Sequence, residues 1–302
     1  MRNYRDAIQF VHDQTIRHMN KGLTPDELVQ VVKLPPHLAG YKPWMQEFFG
    51  TVRQAVRGIY QGYLGWFEGD PVALALLPRS ESARREVELM GGRDRVLAAA
   101  DKAFVDGDSQ WAAELATRLI RINHDDMEAR RLKAAAFRKL GYAEMNAIWR
   151  NWYLSGARGL EIVDPEVIRA GMARLARFIA SPDLVAALPA KAFVEGFAVR
   201  LKAEETLDVV MTVFFRFPDI GEAYGVAIRR GVAQIADAPE TADLTLTLDT
   251  VVLNRIRLGQ LTMRDAIMRG AVQVRDGALT EVARFFSYFK VPFSTPIQLV
   301  VR

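Results

Sequence analysis

Four histidines, His12, His18, His37 and His124, are the only imidazoles in this 302-residue chain, and it contains no cysteine. A hydrolytic zinc centre wants three converging protein ligands, and no two of these histidines stand two positions apart. His12 and His18 fall on nearly opposite faces of a helix, so they cannot share a metal. His124 adjoins Asp125 and Asp126 in a helix–helix turn, where aspartate is an ordinary N-cap. The acid pairs Asp125-Asp126 and Glu204-Glu205 are neighbours in sequence, which suits solvated carboxylates better than a converging site. Without cysteine there is no thiolate ligand, no sulfur nucleophile and no disulfide staple. No P-loop, no Gly-x-Gly-x-x-Gly after a strand and no Gly-x-Ser-x-Gly elbow occurs. The chemistry-bearing residues therefore predict no catalytic residue, no metal site and no cofactor in this chain.

The elements that would position any site are easier to read. Residues 3–20 place Ala7, Ile8, Val11, Thr15, Ile16 and Met19 along one helical face. Thr24-Pro25-Asp26-Glu27 carries a helix start: Thr as N-cap, Pro at the first position, Glu three residues after the cap. That helix, Asp26–Val32, stops at Leu34-Pro35-Pro36. An aromatic-dense stretch, Pro43–Phe67, reads as one buried helix ended by Gly69-Asp70-Pro71. Its Gly58 and Gly62 lower helix propensity by roughly 1 kcal/mol each, which implies close packing against another backbone. Either a neighbouring element of the same chain or a second subunit would satisfy that, with Gly58, Gly62 and Trp66 at the contact.

Helices follow over Ser80–Met90, Arg93–Val105, Gln110–Ile122 and Met127–Leu140. The phrase from Phe104 through Gly107-Asp108 to Trp111-Ala112 resembles a tetratricopeptide helix pair, with fewer than three repeats present. After about Glu161 the character changes. Pro165–Ile179 and Leu184–Arg200 read as helices, followed by β-branched and aromatic runs at Thr206–Phe217, Glu222–Arg229, Val232–Ile235 and Leu244–Leu248. Leu244-Thr245-Leu246-Thr247-Leu248 alternates with period two, as a half-buried strand does. Short helices at Thr250–Leu258 and Thr262–Arg269, a strand at Ala271–Arg275 and a last helix at Thr280–Phe289 complete an α+β pattern.

Half of the residues are hydrophobic and a quarter charged, the balance of an ordinary globular protein able to bury a core without staples. The net charge of +4 is spread among alternating acids and arginines, with no basic stripe, so nucleic acid is not an expected partner. No apolar run reaches the length of a membrane span. The polar start Met1-Arg2-Asn3-Tyr4 lacks a signal core, which predicts a cytoplasmic protein as the chain stands, or a periplasmic one if it is part of a longer precursor.

Several strings together resemble the alkyl sulfatases, a branch of the metallo-β-lactamase superfamily. They are Tyr4-Arg5-Asp6, Gly22-Leu23-Thr24-Pro25-Asp26-Glu27-Leu28, Leu34-Pro35-Pro36-His37-Leu38, Tyr63-Leu64-Gly65-Trp66-Phe67-Glu68-Gly69-Asp70-Pro71, Glu88-Leu89-Met90-Gly91-Gly92 and Arg150-Asn151-Trp152-Tyr153-Leu154. The resemblance covers nearly the whole chain and implies only the part that follows the catalytic domain. It implies an all-α, tetratricopeptide-like dimerisation domain over 1–160 and an α+β, sterol-carrier-like domain over 161–302, α + α/β mixed overall. The family's zinc pair, held by His-x-His-x-Asp-His in its catalytic domain, has no counterpart in these residues. Where the family carries Ser-His-Asn after Gly-Thr, this sequence has Arg53-Gln54-Ala55. Arg53, Gln54 and Arg57 could hydrogen-bond a sulfate-like anion, or form a solvated or subunit-facing surface instead. In the second domain Phe193, Phe197, Leu253, Ile256, Phe285, Phe286 and Phe289 could line an apolar tunnel for an aliphatic or lipid-like molecule, or be plain core. The implied function is the dimerisation and alkyl-chain-binding portion of such a hydrolase, non-catalytic by itself. Its expected partners are a second copy and, where the catalytic part is a separate chain, a metallo-β-lactamase-fold protein. The alternatives are a subunit or truncated form of an active zinc-dependent sulfatase, and a stand-alone lipid carrier.

Overall fold

The computed structural model describes residues 1–42, 44–162, 164–179, 181–236 and 241–290. Among them fifteen α-helices and one five-stranded mixed sheet are divided between two compact units, residues 1–162 and residues 164–290. The first unit is helical: α1 Arg2–Met19, α2 Pro25–Val31, α3 Pro36–Ala39, α4 Val52–Leu64, α5 Arg79–Leu89, α6 Arg93–Val105, α7 Ser109–Ile122, α8 Met127–Ala143 and α9 Ala147–Glu161, with a 3₁₀ turn at Pro71–Ala75.

Capping chemistry sets many of these starts. The Thr24 N–H donates to the Glu27 carboxylate at 2.9 Å, closing the capping box read from the sequence. The side chains of Thr51, Asp108, Asp126 and Asn146 accept from the backbone N–H three residues on, which starts α4, α7, α8 and α9. Three apolar clusters hold the unit, the smallest being Ala103, Ala112, Ala113 and Ala136 of α6–α8. Val11, Leu28, Val29, Val32, Val56 and Tyr60 join α1, α2 and α4. Alanines and leucines of α6–α9, among them Ala100, Ala116, Leu119, Ala129, Leu132, Ala157 and Leu160, form the second. Ala at these contacts lets helix axes approach closely, and α7, α8 and α9 pack in sequence order.

The helix predicted over Pro43–Phe67 is shorter and less buried than its sequence suggests. Trp44–Gly50 forms turns and bends, and Pro43 lies outside the described residues. Thr51 is extended, with φ −125°, and its Oγ1 accepts from Gln54 N–H at 3.0 Å, while Glu47 accepts from Val52 N–H at 2.6 Å. These two side-chain acceptors take the first free N–H groups of α4 and so fix its start. Of the helix only Val56 and Tyr60 are buried; Trp44, Phe49, Tyr63 and Trp66 are exposed.

In the second unit α10 Pro165–Ile179, α11 Pro182–Ala187 and α12 Ala190–Ala198 precede the sheet. The single helix predicted over Leu184–Arg200 breaks at Leu188-Pro189, because proline supplies no N–H and holds the residue before it out of the helical region. The strands are β1 Val210–Phe217, β2 Glu222–Arg229, β3 Val232–Ala236, β4 Leu244–Thr247 and β5 Gln273–Arg275, in the order β3-β2-β1-β4-β5. β1 runs antiparallel to β2 and parallel to β4. The first strand begins later than predicted: Thr206 is buried and its hydroxyl donates back to Lys202 and Ala203 carbonyls, turning the chain before Val210. Helices α13 Thr250–Arg257, α14 Met263–Met268 and α15 Leu279–Ser287 contribute Leu253, Ala266, Val282 and Phe285 to one core with α12 and one face of the sheet. On that face Val213 lies opposite Val226 and Leu244, and Phe215 opposite Tyr224 and Leu246. Tertiary packing thus orders the alternation visible in the strand sequences.

Candidate functional site

Helix α4 carries the polar candidates. Arg53 pairs with Glu144 at 3.1 Å and its guanidinium lies 4.4 Å from the centre of the Trp149 ring. Arg57 forms an ion pair with Asp26. Both arginines border a surface hollow of about 660 Å³ that also contains Glu114 and Tyr153. Burial pushes the Tyr153 hydroxyl above its usual range. The hollow holds two guanidiniums against three carboxylates, so an incoming anion would have to displace an acid from each arginine. Gln54 is exposed and lies outside the lining of that hollow; its backbone N–H is taken by Thr51. The structure therefore brings Arg53 and Arg57 together and leaves Gln54 apart.

The opposite side of α4 is small and bare. Among the described residues, a Cβ built on Gly58 or Gly62 would meet nothing within 4 Å, and Trp66 is 69 % exposed. Val56 and Tyr60, which are buried, lie about half a turn away around the helix. The glycines are therefore not packed against any described element of this chain. Gly65 at the end of α4 has φ +76°, a conformation that glycine adopts freely and other residues rarely.

Of the histidines, His37 and His124 are exposed and His12 and His18 half-buried. His12 shares hydrogen bonds with Tyr63 Oη and Asp13 Oδ1, both at 3.0 Å. Among the described residues no three His, Cys, Asp or Glu side chains are grouped so as to hold a metal ion.

In the second unit the apolar candidates do come together. Phe197 is the hub: ring centroids lie at 5.2 Å from Phe193, 5.3 Å from Phe285, 6.0 Å from Phe286 and 4.7 Å from Phe289. Phe215 of β1, which the sequence reading did not single out, stacks on Phe197 at 5.6 Å. These separations are those of aromatic rings in contact. Leu253, Phe285 and Phe197 are fully buried, whereas Phe193, Ile256 and Phe286 are partly exposed at the margin of the same core. Two arginines flank it. Arg200 lies 4.8 Å from the Phe197 ring centre and Arg257 5.7 Å from that of Phe193. Their polar atoms donate to the backbone carbonyls of Gly196, Leu188 and Pro189, and burial lowers the pKa of both. Aromatic hubs on strands cannot be told from other strand aromatics by spacing alone, which is why Phe215, Arg200 and Arg257 escaped the sequence reading.

Comparison with known proteins accounts for both units. Residues 24–162 match the family "Alkyl sulfatase dimerisation" and residues 179–294 match "Alkyl sulfatase C-terminal". A linear primary-alkylsulfatase from a Pseudomonas species is 49 % identical over 304 residues, covering 100 % of this chain and 57 % of that protein. An (R)-specific secondary-alkylsulfatase from Pseudomonas is 32 % identical over 285 residues, covering 93 % of this chain and 41 % of that one. The solved structure of the stereoselective inverting sec-alkylsulfatase Pisa1 from Pseudomonas superposes with a TM-score of 0.80 at 30 % identity, covering 98 % of this chain and 45 % of that chain. The chain spans between about two fifths and three fifths of the length of these relatives. It carries, in order, the dimerisation domain and the C-terminal domain of the alkyl sulfatases, and through both it belongs to that family.

Proposed function

We propose that this chain is the dimerising and alkyl-chain-holding portion of an alkyl-sulfatase-type hydrolase, and that it forms a homodimer. The observation that carries the reading is the bare glycine face of α4, with Gly58, Gly62 and Trp66 uncovered in a segment matched to a dimerisation domain. Helix glycines that pack on none of the described residues are accounted for here by a partner backbone. Catalysis, with its zinc pair, would reside in a metallo-β-lactamase-fold part, whether joined to this chain or separate; no grouping of described residues here fits a metal. Consecutive packing of α7, α8 and α9 supports a tetratricopeptide-like first domain, over 1–160. Helices layered on one face of a sheet support a sterol-carrier-like second one, over 161–302. Sedimentation equilibrium tests the dimer: a single species of twice the chain mass is expected, and a monomer at micromolar concentration refutes it.

A specific observation favours an anionic amphiphile as the molecule held by the second unit. Among the described residues neither Arg200 nor Arg257 has a carboxylate within ion-pair distance, yet both guanidiniums sit against the aromatic core. A sulfate or carboxylate head would supply the missing charge, and each methylene entering beside Phe193, Ile256 and Phe286 would contribute about 0.8 kcal/mol. Saturable binding of a fluorescent fatty acid, weakened by Arg257→Leu, is expected; no binding refutes both this reading and the stand-alone carrier. The anion contact at Arg53, Gln54 and Arg57 would operate with a separate catalytic chain. Mixing the two should then raise sulfate-ester turnover, and an unchanged rate removes it.

A further inference from the structure

The aromatic core of the second unit lies against one face of its sheet, and the other face carries a different set of side chains. Side chains alternate along a strand, so Phe214 and Arg216 of β1, Thr245 and Thr247 of β4, and Gln273 and Arg275 of β5 share that other face. The strand register sorts them into two rows. Thr245 stands between Phe214 and Arg275, and Thr247 between Arg216 and Gln273. On β2 the residue opposite Arg216 is only Ala223, which leaves room beside the rows. Together these side chains line a hollow of about 630 Å³.

The polar groups of the hollow are not committed to one another. Cross-strand neighbours ordinarily stabilise a sheet as pairs. Here, among the described residues, no carboxylate lies within ion-pair distance of Arg216 or Arg275, and no hydrogen bond engages the side chains of Thr245, Thr247 or Gln273. Phe214 is buried, and the Arg216 guanidinium lies 4.9 Å from the centre of its ring, a cation–π contact that holds the guanidinium in place. Two acids also border the hollow. Glu222 accepts from the Tyr224 hydroxyl at 2.8 Å, and Asp276 lies past the end of β5. Neither forms an ion pair with a guanidinium of the hollow.

We propose that this hollow binds a tetrahedral oxyanion of the sulfate or phosphate type, held by Arg216 and Arg275 and hydrogen-bonded by Thr245, Thr247 and Gln273. Guanidiniums only donate, and hydroxyls and an amide can donate, so the set suits a ligand that only accepts. Arginine is the side chain best matched to such oxygens. Donors spread over two rows and three strands fit oxygens that diverge from one centre better than a flat carboxylate. The volume admits more than a bare ion, so the occupant is the free ion or the head of an ester, one chemistry from two sources. The site lies across the sheet from the core that Arg200 and Arg257 flank, and it stands whether or not a ligand binds there.

Isothermal titration calorimetry of the full chain at fixed ionic strength tests it, with sodium sulfate and hexyl sulfate as probes. Both are also titrated into Arg257→Leu, so that a ligand on the core side cannot contribute. One site per chain, with a dissociation constant of about 1 mM or tighter, is expected in each protein. Equal affinity for the two probes supports a site for the free ion, and tighter hexyl sulfate binding supports one for an ester head. Arg216→Gln and Arg275→Gln should each weaken binding about tenfold or more, as loss of a charge-assisted hydrogen bond does, with unchanged far-ultraviolet circular dichroism. No saturable heat with either probe overturns the site, and so does binding that survives both arginine variants. Binding lost in Arg257→Leu but kept in Arg216→Gln overturns it too and places the anion on the core side, so the two readings fail separately.

Discussion

Replacing Asn146 with alanine should unsettle the first unit far beyond the loss of one small side chain. Asn146 is fully buried, and its two ends do different things. Oδ1 accepts from Trp149 N–H at 2.9 Å and caps α9; Nδ2 donates to the Glu47 carbonyl at 3.1 Å. Next to it Ala147 N–H donates to the Phe48 carbonyl at 2.8 Å, so this one turn pins residues 47–48 to α9. Loss of an N-cap costs about 1 kcal/mol, and the part-buried Glu47 carbonyl deprived of its donor costs about 1 kcal/mol more. Asn146→Ala should therefore destabilise by roughly 2 kcal/mol, or about 4–8 °C in melting temperature for a unit of this size. Asn146→Ser keeps a cap but is too short to reach Glu47, and should recover about 1 kcal/mol of that loss. Urea unfolding followed by tryptophan fluorescence at one fixed protein concentration measures all three. An alanine variant within 0.5 kcal/mol of wild type (~0.5 being ordinary surface scatter) would refute the reasoning. A serine variant equal to alanine would refute the division of roles.

Other outcomes follow from the same structure. Gly62→Leu should weaken the dimer while raising the stability of the separated subunit by about 0.5–1 kcal/mol, since glycine is the poorer helix former; sedimentation and dilute-solution melts read the two effects separately. Phe197→Ala should cost about 3–5 kcal/mol of second-unit stability, checked by far-ultraviolet circular dichroism in urea. Lys133 is buried in α8 and its pKa is lowered to about 8, first by burial and then by Arg121. Between about pH 8 and 10.5 the unfolded chain then holds a proton that the folded chain has released, so stability should rise with pH through that window, by on the order of 2–3 kcal/mol. Lys133→Met should flatten the slope, and an unchanged slope would place the titration elsewhere.

What could be read from the residues, and what could not, divides along physical lines. Caps are local, so Thr24-Pro25-Asp26-Glu27 announced α2 correctly. Strand alternation is local too, and Leu244 and Leu246 do enter the core, but Thr245 between them is also buried, so this strand is covered on more than the one face its alternation predicted. The Pro43–Phe67 reading failed because apolar content was taken for burial. Trp44, Phe49 and Trp66 have the composition of a core and the positions of a surface, and nothing within a helical period separates the two. Gly50-Thr51 was a legible start signal that the aromatic density obscured. Pro189 was equally legible as a break within Leu184–Arg200. Phe215 could not be found, because its place at the hub depends on β1 pairing with β4, a contact between residues about thirty apart. The arginines were assigned by chemical type alone. Their partners, Glu144 for Arg53 and Asp26 for Arg57, come from distant helices and decide whether a guanidinium is available to an anion.

The two units use aromatic residues in opposite ways, and this yields a test that needs no mutation. In the second unit the phenylalanines turn inward and stack on each other. In the first, many of the largest apolar side chains turn outward. If a second copy covers that outward surface, the stability of the first unit depends on protein concentration by mass action, while that of the second does not. Each tenfold rise in concentration should add about 1.4 kcal/mol per mole of dimer to the first unit's unfolding free energy. All five tryptophans, Trp44, Trp66, Trp111, Trp149 and Trp152, lie in the first unit, so tryptophan fluorescence reports it alone. Far-ultraviolet circular dichroism reports both. Melts at 0.1 to 10 micromolar protein (about two decades, ~3 kcal/mol by the same relation) should therefore move the fluorescence transition and leave a second, dichroic transition in place. A fluorescence transition that stays fixed over that range would mean the exposed aromatics are not covered by another copy, and the dimer reading would fall.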